Sequence, residues 1–165
     1  MQLQYLQEKK DIIMSDNNRE NIFENCLFFS TNSLARSLDS IANKAFSDMD
    51  VTPTEGFTLL CVSDMKIFSP TKISRTLNMS ASTITRFIAK LVKLHYLEYH
   101  KTGRNVRLEL TPLGVAKSVE VKKRWGIIRQ KIAKVLPDNE SMEITRKINS
   151  ANKKFILRKS RDLKT

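Results

Sequence analysis

The chain has 165 residues, 41% of them apolar, which suffices for one domain or one domain plus a dimerisation appendage and excludes a disordered chain. Its 29 Lys and Arg against 17 Asp and Glu leave a formal charge of +12, an excess that calls for a polyanionic partner such as nucleic acid or an acidic membrane surface. No run reaches the roughly 18–20 apolar residues that span a bilayer, the N-terminal stretch has no secretory apolar core, and Cys26 and Cys61 read as free thiols in a reducing compartment, so a soluble cytoplasmic protein is expected.

Residues 1–18 read as a polar, loosely ordered leader. From about Arg19 a long helix is expected, because Ile22, Phe23, Cys26, Leu27, Leu34, Leu38, Ile41, Ala42, Ala45 and Phe46 keep a three-and-four spacing. Thr52-Pro53-Thr54-Glu55 opens a second helix: Thr52 caps, Pro53 suits the first helical position, and Glu55 completes a capping box. Phe57, Leu60 and Cys61 then face inward. Ser69-Pro70 opens a third helix with Ile73 and Leu77 as its apolar face. Asn78-Met79-Ser80 is a tight turn, and a fourth helix starts near Ala81 with Ile84, Ile88, Leu91 and Val92 on one side.

Between Leu97 and Leu110 the period changes to two. Leu97 and Tyr99 alternate, Thr102-Gly103 turns, and Val106, Leu108 and Leu110 alternate with Arg107 and Glu109, which makes a hairpin with a basic tip. Thr111-Pro112 restarts helix, with Val121, Trp125, Ile128, Ile132 and Val135 on one stripe. After Pro137 a last helix carries Ile144, Ile148, Ala151 and Phe155. Stripes this regular suit helix–helix packing in a dimer, with Ile22, Phe23, Val121, Trp125, Ile128, Ile132, Ile144, Ile148 and Phe155 as its expected contacts.

The expected fold class is mainly α with a small β-hairpin wing. A winged helix-turn-helix occupies residues 50–111, dimerisation helices occupy 19–48 and 112–158, and a basic tail occupies 159–165. Charge agrees with that division. From Lys66 to Arg107 there are nine basic residues and one acid, Glu98, a balance of +8 in a quarter of the chain. A solvated surface without a partner would mix its signs.

The polar face of the fourth helix offers Ser82, Thr83, Thr85, Arg86, Lys90 and Lys93 as DNA contacts, with Ser80 of the preceding turn beside them. Small hydroxyls let a helix approach base edges closely, and an arginine at Arg86 can grip guanine O6 and N7 in bidentate fashion or else meet a phosphate. Lys72 is read as a DNA-binding residue, Lys101 and Arg107 as contacts to flanking phosphates, and Arg104 at the hairpin tip as a probe of an A·T-rich minor groove.

TPTEGFTLL, SPTKISRTLNMSASTITRFIAKLVKLHYL and GRNVRLELTPLG, in that order and spacing, resemble the MarR (multiple-antibiotic-resistance regulator) family from about residue 20 onward. The resemblance implies a triangular homodimer, a palindromic operator, and repression often relieved by a small molecule. Thr102 departs from it, since family members commonly hold an aspartate there that orients the wing arginine. A peroxide-sensing branch keeps its reactive cysteine near the position of Cys26, but that branch also uses nearby tyrosines and none lies between Cys26 and Tyr96, so Cys26 is read as a buried structural thiol. Phe23, Phe28, Phe57 and Trp125 are the expected lining of an effector crevice.

Two other readings stay open: a ligand-independent architectural regulator of the same fold on A·T-rich DNA, and a protein-interaction module without DNA. No phosphate-cradling glycine loop, nucleophile elbow or metal-ligand cluster accompanies His95 and His100, so no enzyme activity, cofactor or metal is expected.

Overall fold

The computed structural model describes residues 23, 25–102 and 105–162. The chain divides into two compact units, residues 1–40 and 41–165. The described residues form six helices and one antiparallel hairpin: α1 Leu27–Ala45, α2 Pro53–Ser63, α3 Pro70–Thr76, α4 Ala81–Lys93, β1 Leu97–Thr102, β2 Asn105–Leu110, α5 Pro112–Ala133 and α6 Asp138–Asp162. The mainly helical, winged architecture is the one expected.

The start of α1 differs from the expectation. Phe23 and Asn25 lie in turns, and Cys26 N–H closes one of them on the Phe23 carbonyl before the helix begins at Leu27. Apolar spacing alone runs straight across such a turn, and no capping residue marks the boundary in sequence. In the first unit, α1 buries nothing from Leu27 to Ser40, and Phe28 is 77% exposed. The rings of Phe23 and Phe29 sit 5.0 Å apart. Ile22, the leader and the last three residues lie outside the described residues.

The second unit holds the core. Phe46, Val51, Leu59, Val62, Ile73, Ile84, Ile88, Leu91, Leu97, Leu108, Val121 and Ile128 form one buried cluster. Local signals place its elements. Glu55 N–H donates to Thr52 Oγ1 at 3.4 Å while Thr52 N–H donates to Glu55 Oε2 at 2.8 Å, so the capping box forms. At the end of α3, Asn78 is left-handed at φ 50°, and Met79 and Asn78 N–H donate to the Ser74 and Arg75 carbonyls. That is the Schellman arrangement, and asparagine tolerates its conformation better than most residues. α4 ends in the same way: His95 is at φ 57°, with Tyr96 and His95 N–H on the Leu91 and Val92 carbonyls.

β1 and β2 pair from Leu97 opposite Leu110 to Thr102 opposite Asn105, with Leu97 and Leu108 buried. Thr111 caps α5 by accepting from Gly114 N–H at 2.9 Å. From Asp138 to Ile156, α6 has no buried residue. Among the described residues no helix is long and apolar enough to cross a membrane.

Gly114 is where the first turn of α5 meets the root of the wing. A Cβ there would stand 1.9 Å from the Tyr96 carbonyl oxygen, a backbone atom that cannot swing aside. Gly126, further along α5, has open space around its Cβ position. Gly114→Ala is therefore expected to destabilise the fold by about 3 kcal/mol. Gly126→Ala should gain about 0.5–1 kcal/mol from helix propensity. Thermal unfolding of the two variants checks this, and similar effects of both would contradict it.

Candidate nucleic-acid interface

The rotation of α4 follows from its buried face. Ile84, Ile88 and Leu91 are withdrawn from solvent, while Ser82, Arg86, Ala89 and Lys93 are exposed. At about 100° per residue, taking Ile84 as the centre of the buried face, Ser82, Arg86 and Lys93 fall within about 20° of the opposite direction. The side chains of Arg86 and Lys93 have no ion-pair partner among the described residues. They form one outward line of a hydroxyl and two cations.

The hydroxyls expected to approach DNA are partly engaged within the helix start. Ser80 caps α4 by accepting from Thr83 N–H at 3.1 Å, and its Oγ lies 3.0 Å from Ser82 Oγ and 2.7 Å from Thr83 Oγ1. Thr85 Oγ1 donates back to the Ala81 carbonyl at 2.8 Å. This is ordinary behaviour for Ser and Thr at a helix start, and it leaves acceptor capacity on the exposed rim. Lys90 sits apart from the outward line: its Nζ donates to Glu55 Oε2 at 2.7 Å.

Beside α3 the chain forms an open cleft of about 560 Å³ lined by Met65, Lys66, Ile67, Phe68, Ser69, Lys72 and Arg107. Leu108 N–H donates to the Phe68 carbonyl at 3.0 Å, which ties this loop to β2. The Arg107 guanidinium centre lies 4.5 Å over the Phe68 ring, so the ring holds the cation at the cleft edge. Lys66, Lys72 and Arg107 surround the opening with no ion-pair partner among the described residues. Phe68 and Lys66 were not singled out in the sequence as site residues. Phe68 lies in a loop outside any periodic run, and Lys66 stood out only as part of the charge count.

At the root of the wing, Tyr96 Oη donates to Asp50, and Lys117 Nζ lies 3.2 Å from Asp50 and 2.8 Å from Glu120. Burial pushes the Asp50 carboxyl up, but the hydrogen bonds from Tyr96 and Lys117 outweigh it and hold the group below the usual carboxylate range. Burial, followed by the Asp50 contact, pushes the Tyr96 phenol up. Burial alone would lower the Lys117 ammonium; its hydrogen bonds to Glu120 and Asp50 raise it instead. The network ties the root of the wing to α5 within the second unit.

The expected partner-facing residues separate into two groups. Val121 and Ile128 are buried in the core of the second unit itself, because that side of α5 packs against α2 and the hairpin. Ile132 is half-buried against the same core. Trp125, Ile148 and Phe155 remain exposed, Phe155 at 65%, and Ile144 is half-buried. Of the residues expected around an effector, Phe57 and Trp125 stack edge-on at 5.1 Å in the second unit, whereas Phe23 and Phe28 belong to the first. Arg104 and the side chain of Lys101 lie outside the described residues. Cys61 is buried, and burial pushes its thiol up. Cys26 is only half-buried, short of the burial expected for it.

No family model matches the chain, and no curated protein matches it. Solved structures do. A MarR variant from E. coli complexed with operator DNA is 19% identical, with a TM-score of 0.68 over 76% of this chain and 92% of that one. An S. aureus MepR–DNA complex is 13% identical, with a TM-score of 0.67 over 79% and 98%. The transcriptional repressor CouR bound to p-coumaroyl-CoA is 13% identical, with a TM-score of 0.72 over 81% and 96%. At these identities the likeness is one of fold: the chain has the winged-helix architecture that MarR-type regulators share.

Because Ser80 is the side-chain cap of α4, Ser80→Ala should cost about 1 kcal/mol of stability. Ser82→Ala, which leaves the cap in place, should cost little. Urea unfolding of the two variants at neutral pH checks the difference, and equal midpoints would contradict the capping role.

Proposed function

We propose that the chain is a sequence-specific, double-stranded-DNA-binding transcriptional regulator of the MarR type, working as a homodimer. In this reading it represses, and a small organic effector relieves the repression. The observation that carries the reading is the outward line of α4, Ser82, Arg86 and Lys93 opposite a fully buried face; Lys72 and Arg107, at the cleft beside α3, add two cations with no ion-pair partner among the described residues. An α-helix fits the major groove of B-DNA, and cations flanking it neutralise the phosphates on either side.

A second copy supplies what the single chain leaves unburied. In proteins most of a helix's stability comes from packing its apolar face, and α6 exposes Met142, Ile148, Phe155 and Ile156. The first unit exposes Leu27 and Phe28 on α1. A two-fold dimer that reads successive major grooves needs its two copies of α4 about 34 Å apart, one turn of duplex. MarR and MepR are solved with DNA and CouR with an acyl-CoA thioester, which supports DNA and a small organic ligand as partners here.

The test is a selection of bound duplexes from a random-sequence pool, followed by titration over a range of salt. The expected result is an inverted repeat with half-sites about 10 base pairs apart, and log Kd rising by about 0.9 per log unit of salt for each phosphate contacted. Arg86→Ala should weaken binding to the selected duplex by about 1–3 kcal/mol and relax the preference at one position of each half-site. Salt-insensitive binding, or no enriched sequence, would overturn the reading.

A further inference from the structure

The nine cations between Lys66 and Arg107 do not all face outward. Lys90 lies on α4 beside Arg86 and Lys93 in sequence, yet about 120° round from Ile84 by helix geometry, on the flank of the helix and not on its outward line. Its Nζ is 2.7 Å from Glu55 Oε2, and the Glu55 side chain is only 8% exposed. The same carboxylate oxygen accepts from Thr52 N–H at 2.8 Å. One buried oxygen thus receives both the first turn of α2 and the last turn of α4.

We propose that Lys90 is a positioning residue and not a phosphate contact: its bridge to Glu55 sets the angle at which α4 is presented to the duplex. The inference rests on the DNA-binding reading above. A phosphate that captured Lys90 would strip a nearly buried carboxylate of its cation, and such a loss is costly because the remaining charge cannot reach water. Lys93, one turn on and fully outward, has no such partner among the described residues. The apolar face of α4 already limits rolling about its axis. The Glu55 tether adds a second fixed point, holding the C-terminal half of α4 against α2 so that Arg86 keeps its reach.

Glu55→Gln keeps an acceptor for Thr52 N–H and removes the charge, so it separates the bridge from the capping box. The double variant Glu55→Gln/Lys90→Met removes one charge of each sign and leaves the net charge of the chain unchanged. The experiment measures Kd against potassium chloride concentration by fluorescence anisotropy. Its probes are a labelled 30-base-pair duplex selected from the random pool and an unselected duplex of the same length. Wild type, Glu55→Gln, Lys90→Met, Lys90→Arg, the double variant and Lys93→Ala are compared.

Glu55→Gln and Lys90→Met should each weaken binding to the selected duplex on the order of tenfold, the size of one lost charge-assisted hydrogen bond. The double variant should be no worse than either single change, and Lys90→Arg should restore most of the affinity. The salt slope of the double variant should match wild type, whereas Lys93→Ala should lower it by about 0.9 for each copy removed. The inference is overturned if the double variant loses slope as Lys93→Ala does, or if Glu55→Gln binds as well as or better than wild type, since either result makes Lys90 a phosphate ligand. A wild-type chain that binds neither duplex in a salt-dependent way overturns the DNA-binding reading itself, and this inference with it.

Discussion

Ile84, Ile88 and Leu91 carry one face of α4 into a cluster shared with Leu59 and Val62 of α2, Ile73 of α3, and Leu97 and Leu108 of the hairpin. Removing each of these side chains from water contributes about 2–3 kcal/mol relative to exposure. The buried face therefore limits how far the helix can roll, and its spacing decides which side chains lie opposite. Ser82, Arg86 and Lys93 occupy that line. The stops at either end, Ser80 before it and the left-handed His95 after it, set the length that is presented. The wing follows directly, because the same chain reversal at His95 and Tyr96 starts β1. The cleft edge at Phe68 is held by β2 in turn.

The fold also sorts the chain's excess of positive charge. Around α5 three cations are matched, Lys117 with Asp50 and Glu120, Lys122 with Asp64, and Arg124 with Asp48, while Lys123, Arg129 and Lys131 have no ion-pair partner among the described residues. Around α3, α4 and the hairpin, Lys72, Arg86, Lys93 and Arg107 have no carboxylate partner among the described residues. Exposed ion pairs stabilise a fold by only about 0–1 kcal/mol each, so leaving those four cations bare costs the fold little and keeps them available to a polyanion. Lys90 is the telling exception, since it stands in the basic region yet is neutralised from within by Glu55.

Much of this was legible in the residues. Thr52-Pro53-Thr54-Glu55, Ser69-Pro70 and Thr111-Pro112 each open a helix where helix is found, because capping chemistry is local and needs no tertiary context. Asn78 marked its turn for the same reason. What sequence could not give depends on contacts between distant segments. The bridge from Lys90 to Glu55 spans 35 positions, and a polar stripe on a helix wheel does not distinguish an outward lysine from one folded against a neighbouring helix. Val121 and Ile128 share a stripe with Trp125, but their side of α5 turns into the chain's own core, so part of a stripe expected to meet a partner is used within the second unit. The hydroxyls of Ser80, Thr83 and Thr85 were read as reaching outward, while helix-start chemistry draws them back to the helix.

The account stands on the outward line of α4 entering the groove, and cleavage from a tethered iron chelate tests that contact directly. With Cys26→Ser as background, the chelate is attached in turn at Ser82→Cys on α4 and at Lys123→Cys, an exposed position on α5, and strand scission of a bound duplex is mapped. The account predicts cleavage from Ser82→Cys concentrated in two successive major grooves about one helical turn apart, with little from Lys123→Cys. Diffuse scission from position 82, or equal scission from both positions, would contradict it.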